Sequence, residues 1–198
     1  MIKFGTSSPL RHKLAFMAVC IALNAAGSTL ADSFELPFWL DTAGTCICAC
    51  ILGPLYGAVT GLTGNLIMGI YDVSSVLYSV INVFIGVIVG FAARRKMCGD
   101  VFNMLCLSII TGCFSFICAT PLNCLFYEGL TGNKWGDALF HMLENYRISV
   151  PLRSACGQAF IDIPDKVVTI TAVFLILKFM EKQGLIELKD NNETLIDE

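Results

Sequence analysis

The stretch LPFWLDTAGTCICACILGPLYGAVTGLTGNLIMG, residues 36–69, contains a single formal charge, Asp41. It reads as two apolar segments, about 37–52 and 54–70, separated only by LGP. Pro37 suits a first helical turn, and so short a connection makes the two segments a tight hairpin. Each is short for a hydrocarbon core of about 30 Å, so the hairpin is expected to be tilted, broken or partly re-entrant. Further apolar runs flank it at about 13–31, 76–93, 101–125 and 158–180. The expected fold is an all-α polytopic membrane protein of six transmembrane helices over residues 1–180, with a short acidic cytoplasmic tail over 181–198.

Composition agrees. Of 198 residues, 56% are hydrophobic and 15% charged, against roughly 25% charged in an ordinary soluble domain. Mean hydropathy is +0.71. The net charge of −3 and the lack of a basic stripe exclude a nucleic-acid surface. The ten cysteines contain no C-x-x-C, and Cys46, Cys48 and Cys50 alternate inside an apolar run. They are expected to behave as small hydrophobes rather than metal ligands. The N-terminus has signal-peptide character, but the apolar segments that follow favour a retained first helix.

Basic residues orient the spans. Lys3, Arg11 and Lys13 precede the first, Arg94, Arg95 and Lys96 follow the fourth, and Lys178, Lys182 and Lys189 follow the last. Cytoplasmic N- and C-termini place all three clusters on the cytoplasmic side, as the positive-inside rule requires. Segments 32–40, 71–75 and 126–157 then face outward. The first and last of these carry Trp39 and Trp135, which read either as interfacial anchors or as ligand-stacking surfaces.

Small residues recur at helical spacing. Ala15, Ala18, Ala22 and Ala26 share one face of the first span, and Gly53, Gly57, Gly61 and Gly69 follow in the third, with Gly86 and Gly90 in the fourth. The glycines are expected to pack within the chain, whereas the alanine face is open to another membrane subunit.

Polar residues in the spans are few. Asn24 and Asn65 are deep, whereas Asp41, Thr42, Tyr71, Asp72, Tyr78, Asn82, Asn123, Tyr127, Glu128, Gln158, Asp162, Asp165 and Lys166 gather toward the outer half. Such residues are costly in a bilayer and face cavities or partners. A polar pocket open outward and closed inward describes a capture site, since a channel needs polar lining throughout. In FIDIPDKVV (160–168), Pro164 reads as a helix start, with Asp165 in the first turn and Asp162 capping that turn or pairing with Lys166. The expected pocket residues are Asp41, Asn65, Tyr71, Asp72, Tyr78, Asn82, Tyr127, Trp135, Asp165 and Lys166.

No P-loop, H-E-x-x-H or G-x-S-x-G is present, so neither enzyme activity nor a cofactor is expected. Any solute movement would draw its energy from partners.

LPFWLDTAGT, LGPLYGAVTG and IDIPDK, within residues 13–180, resemble the substrate-binding S components of energy-coupling factor (ECF) vitamin importers. The resemblance implies six spans with cytoplasmic termini in a bacterial cell membrane, and outward capture of a vitamin or related micronutrient. It also implies a coupling transmembrane subunit with two ATPase subunits as partners. The small-residue motif by which many such proteins meet the coupling subunit corresponds here to Ala18, Ala22 and Ala26. Flavins, thiamine precursors, pyridoxal-like compounds, folates and modified bases all remain open as substrate. The alternative is a ligand-sensing membrane domain. The fewer than twenty residues after Met180, with no output domain among them, weigh against it.

Overall fold

The structure, a computed structural model, describes residues 9–95, 97 and 100–186. Lys3, Lys96, Cys98, Lys189 and the rest of 187–198 lie outside the described residues. Among those described, the chain forms α1 (Leu10–Ser33), α2 (Ala43–Leu52), α3 (Pro54–Met68), α4 (Ser74–Arg94), α5 (Val101–Phe126), α6 (Lys134–Glu144) and α7 (Val150–Lys182), with no strand.

Among the described residues three helices, α1, α4 and α5, are long and apolar enough to cross a membrane. Their outward faces, and that of α7, expose Leu14, Val19, Ile110, Ile117, Leu175 and Phe179, an apolar surface suited to lipid rather than water. At about 1.5 Å per residue, α2 and α3 reach only about 15 and 22 Å, each less than a hydrocarbon core of about 30 Å.

The α2–α3 elbow depends on Gly53, whose φ of 99° is in the left-handed region, with Pro54 opening α3. The Arg94 guanidinium lies against it, and Lys13 stacks over the Tyr56 ring at 5.1 Å. The start of α1, the elbow and the end of α4 therefore occupy one end of the molecule. The glycines of α3 and α4 pack within the chain, as expected. A Cβ on Gly86 would sit 2.5 Å from the Gly57 carbonyl carbon, and one on Gly90 would sit 2.4 Å from Pro54 Cα. Contact this close replaces side-chain interdigitation with backbone against backbone.

Three boundaries differ from the sequence expectation. First, α2 begins at Ala43 rather than near Pro37, so Asp41 stands in an irregular segment ahead of the helix. The first donors of α2 are capped from another helix. Asn24 Oδ1 accepts from the N–H groups of Gly44 (2.7 Å) and Thr45 (3.3 Å), and Asn24 Nδ2 donates to Thr45 Oγ1 at 2.8 Å. Second, α7 starts at Val150 with Pro151 in its first turn, so Pro164 lies inside a continuous helix and opens nothing. Pro164 has no N–H for the Phe160 carbonyl, a loss that a helix packed against neighbours tolerates. Third, 126–157 contains the amphipathic α6, capped by Asn133 Oδ1, which accepts from Trp135 N at 3.0 Å. It packs on α7 through Gly136 and Gly157.

Gly86→Ala is expected to lower the thermal unfolding temperature of the detergent-solubilised chain, through overpacking worth about 1–3 kcal/mol. An unchanged melting curve would mean that α3 and α4 can separate without cost.

Candidate functional site

At the end of the molecule opposite the elbow, a cavity of about 480 Å³ opens between the C-terminal ends of α1 and α5, the start of α4, the middle of α7 and the 34–42 segment. Ligand sites commonly occupy roughly 300–1,000 Å³. Toward the elbow end the helices close. Cys46, Val89, Leu107, Ile170, Val173 and Leu177 meet around a void of about 10 Å³, with barely room for one water.

The polar wall is built from two hydrogen-bonded chains. In one, Tyr78 Oη donates to Asn123 Oδ1 (2.5 Å), Asn123 Nδ2 to Gln158 Oε1 (2.8 Å), and Gln158 Nε2 to Asp162 Oδ1 (2.9 Å). Trp39 Nε1 also donates to Asp162 Oδ1, at 3.1 Å. Gln158, Asp162 and Lys166 follow one another at four-residue spacing, so a continuous α7 presents all three on one face. In the other chain, Asn82 Nδ2 donates to Asn65 Oδ1 (2.6 Å) and to Asp41 Oδ2 (3.2 Å), while Asn65 Nδ2 donates to the Ser75 carbonyl (3.1 Å).

Both chains rest on a buried charged cluster. Lys166 Nζ pairs with Asp165 Oδ2 and lies 3.8 Å from Asp41 Oδ1. Asp165 Oδ1 accepts from the backbone N–H groups of Trp39 (3.1 Å) and Leu40 (2.9 Å). Asp165 is fully buried and Lys166 is 2% exposed. Burial of such charges is tolerable only with this degree of pairing and hydrogen bonding.

Of the ten residues expected in the pocket, Asp41, Asp72, Tyr78, Asn82, Tyr127 and Lys166 line the cavity. Asn65 stands behind Asn82 and orients it. Asp165 does not line the cavity and instead anchors the 39–40 backbone. Tyr71 is 86% exposed and outside it. Trp135 is also outside, its Nε1 donating to the Glu35 carbonyl at 2.8 Å. Asp162 makes no contact ion pair with Lys166 and caps no helix end; it accepts from Trp39 and Gln158. The expected set omits Asp162, Gln158, Trp39 and Ser115, which line the cavity. The four-residue spacing of Asp162 and Lys166 reads in the sequence as a candidate ion pair, but a helix begun at Pro164 does not join Gln158 to the same face.

Comparison of the chain with protein-family models, curated proteins and solved structures finds no match. The cavity's own chemistry is therefore the basis for assigning a role.

Asp165→Ala would leave Lys166 with the more distant Asp41 and free two backbone donors. Loss of one member of a buried pair costs about 3–5 kcal/mol, so a lower unfolding temperature is expected even without ligand. Unaltered stability would show that the 34–42 segment is held by other contacts.

Proposed function

We propose that this chain is the substrate-capture (S) subunit of an ECF-type importer. It would lie in a bacterial cell membrane with six spans and cytoplasmic termini. The reading rests on one observation: a polar-walled cavity lies at one end, over a closed apolar half, and the basic residues that flank the long apolar helices, Arg94, Arg95, Lys178 and Lys182, lie toward the other end, with Lys134, Arg147 and Arg153 on the α6 side. With basic residues inside, the cavity faces outward. A site open on one side and sealed on the other binds without conducting.

In this reading α2 and α3 cross as a pair, and the charges of α7 are accommodated because Asp162, Asp165 and Lys166 face protein rather than lipid. A vitamin or related micronutrient enters from outside. The loaded subunit passes it on through a coupling transmembrane subunit driven by two ATPases. Ala18, Ala22 and Ala26 are all exposed along α1, which leaves that face available to the coupling subunit. Small residues there allow close helix approach in lipid.

Native mass spectrometry of the purified chain, with gentle release of bound molecules, is expected to find one small organic compound at one-to-one stoichiometry. Ala22→Leu is expected to retain that compound and to lose co-purification of the coupling subunit and ATPases. A variant that still assembles and transports normally would remove the α1 face from the docking role, and a chain that never co-purifies with such partners would overturn the importer assignment.

A further inference from the structure

We infer that the cavity takes a small organic cation, an aromatic or heteroaromatic ring bearing a protonated amine or amidine, with Asp162 as its counter-charge. The inference rests on reading the cavity as a capture site, but not on any coupling partner.

The first observation is charge. The carboxylates of Asp32, Asp41, Asp72 and Asp162 line the cavity, and among the described residues the only cationic side chain lining it is Lys166. That ammonium is already engaged by Asp165 and Asp41, so its charge is largely spent within the wall. No arginine lines the wall among the described residues, so a phosphate or carboxylate would meet uncompensated negative charge. The carboxylates are also too dispersed for a metal, since no group of three candidate ligands gathers among the described residues.

The second observation is an unfilled acceptor. Asp162 is 1% exposed. Its Oδ1 accepts from both Trp39 and Gln158, while its Oδ2 is buried with no hydrogen-bond partner. The Ser115 hydroxyl is a hydrogen-bonding neighbour of the carboxylate, yet no donor meets hydrogen-bond geometry at Oδ2. A buried carboxylate oxygen without a donor is costly, and an N–H of a cationic ligand supplies both the donor and the opposite charge. Third, Trp39, Tyr78 and Tyr127 bring aromatic surface to the same cavity, and Trp39 is pinned beside the carboxylate by its own N–H. Aromatic faces favour both a flat ring and a cation.

The test uses three ligands of nearly one shape and different charge: benzamidinium, benzamide and benzoate. Their binding to the full chain in detergent is measured by isothermal titration calorimetry. Benzamidinium is expected to bind about tenfold or more tighter than benzamide, the effect of one charge-assisted hydrogen bond, with benzoate weakest. Asp162→Asn keeps the side-chain shape and is expected to erase most of that preference. Equal affinities, a preference for benzoate, or no binding of benzamidinium at millimolar concentration would each overturn the inference. An unchanged preference in Asp162→Asn would overturn the assignment to Asp162. If that variant does not fold, the wild-type series still decides the sign of charge. The capture reading itself is decided separately, by whether a compound co-purifies with the chain.

Discussion

Asp165 is the side chain on which the rest of the polar architecture depends. One oxygen holds the backbone of Trp39 and Leu40, and the other holds Lys166. It thereby ties the irregular 34–42 segment to the middle of α7. That tie sets Trp39 beside Asp162 and Asp41 within reach of both Lys166 and Asn82. In a low-dielectric interior such a cluster is worth having only when complete, because each unpaired charge costs several kcal/mol. The same pairing consumes Lys166, and so leaves the cavity wall acidic.

The two halves of the molecule reflect two ways of satisfying polar backbone and side chains without water. In the elbow half, close approach of Gly57, Gly86 and Gly90 to neighbouring backbone brings helices together with few polar side chains. In the cavity half, side chains cap what the backbone leaves open: Asn24 for the start of α2, Asp165 for residues 39–40, and Asp72 for Ser74 at the start of α4. Over that half, α6 is joined to the 34–36 region by the Lys134–Glu35 pair and by Asn133 Nδ2 donating to the Leu36 carbonyl at 3.0 Å. Trp135 belongs to this roof and not to the cavity wall, which is why it reads from sequence as a ligand-stacking candidate but stands outside.

The helical nature of the chain and the concentration of polar residues at one end were legible in the residues themselves, because hydropathy and small-residue spacing are local properties. So was the internal packing of the α3 and α4 glycines. Where sequence reading went astray, a local signal had more than one meaning. Pro164 is a good first-turn residue and also a tolerable interior one, and Pro151, in the first turn of α7, already opens the helix. Pro37 likewise marks no helix start, because Asn24 on another helix provides the cap that sets α2 at Ala43.

Hydropathy and charge spacing, both local, specify an apolar helical chain with few ionisable groups inside or beside its apolar segments, Asp41, Asp162, Asp165 and Lys166 among them. Which of those groups face the cavity and which are spent on holding it depends on the packing of distant segments. Asp162 and Asp165 are three residues apart on one helix, yet one ends on the cavity with an unfilled oxygen and the other is fully engaged behind the wall. The physical reason is that a carboxylate's role follows from the donors that reach it. Those donors, the Trp39 indole, the Trp39 and Leu40 backbone and the Lys166 ammonium, come mainly from a segment more than a hundred residues distant.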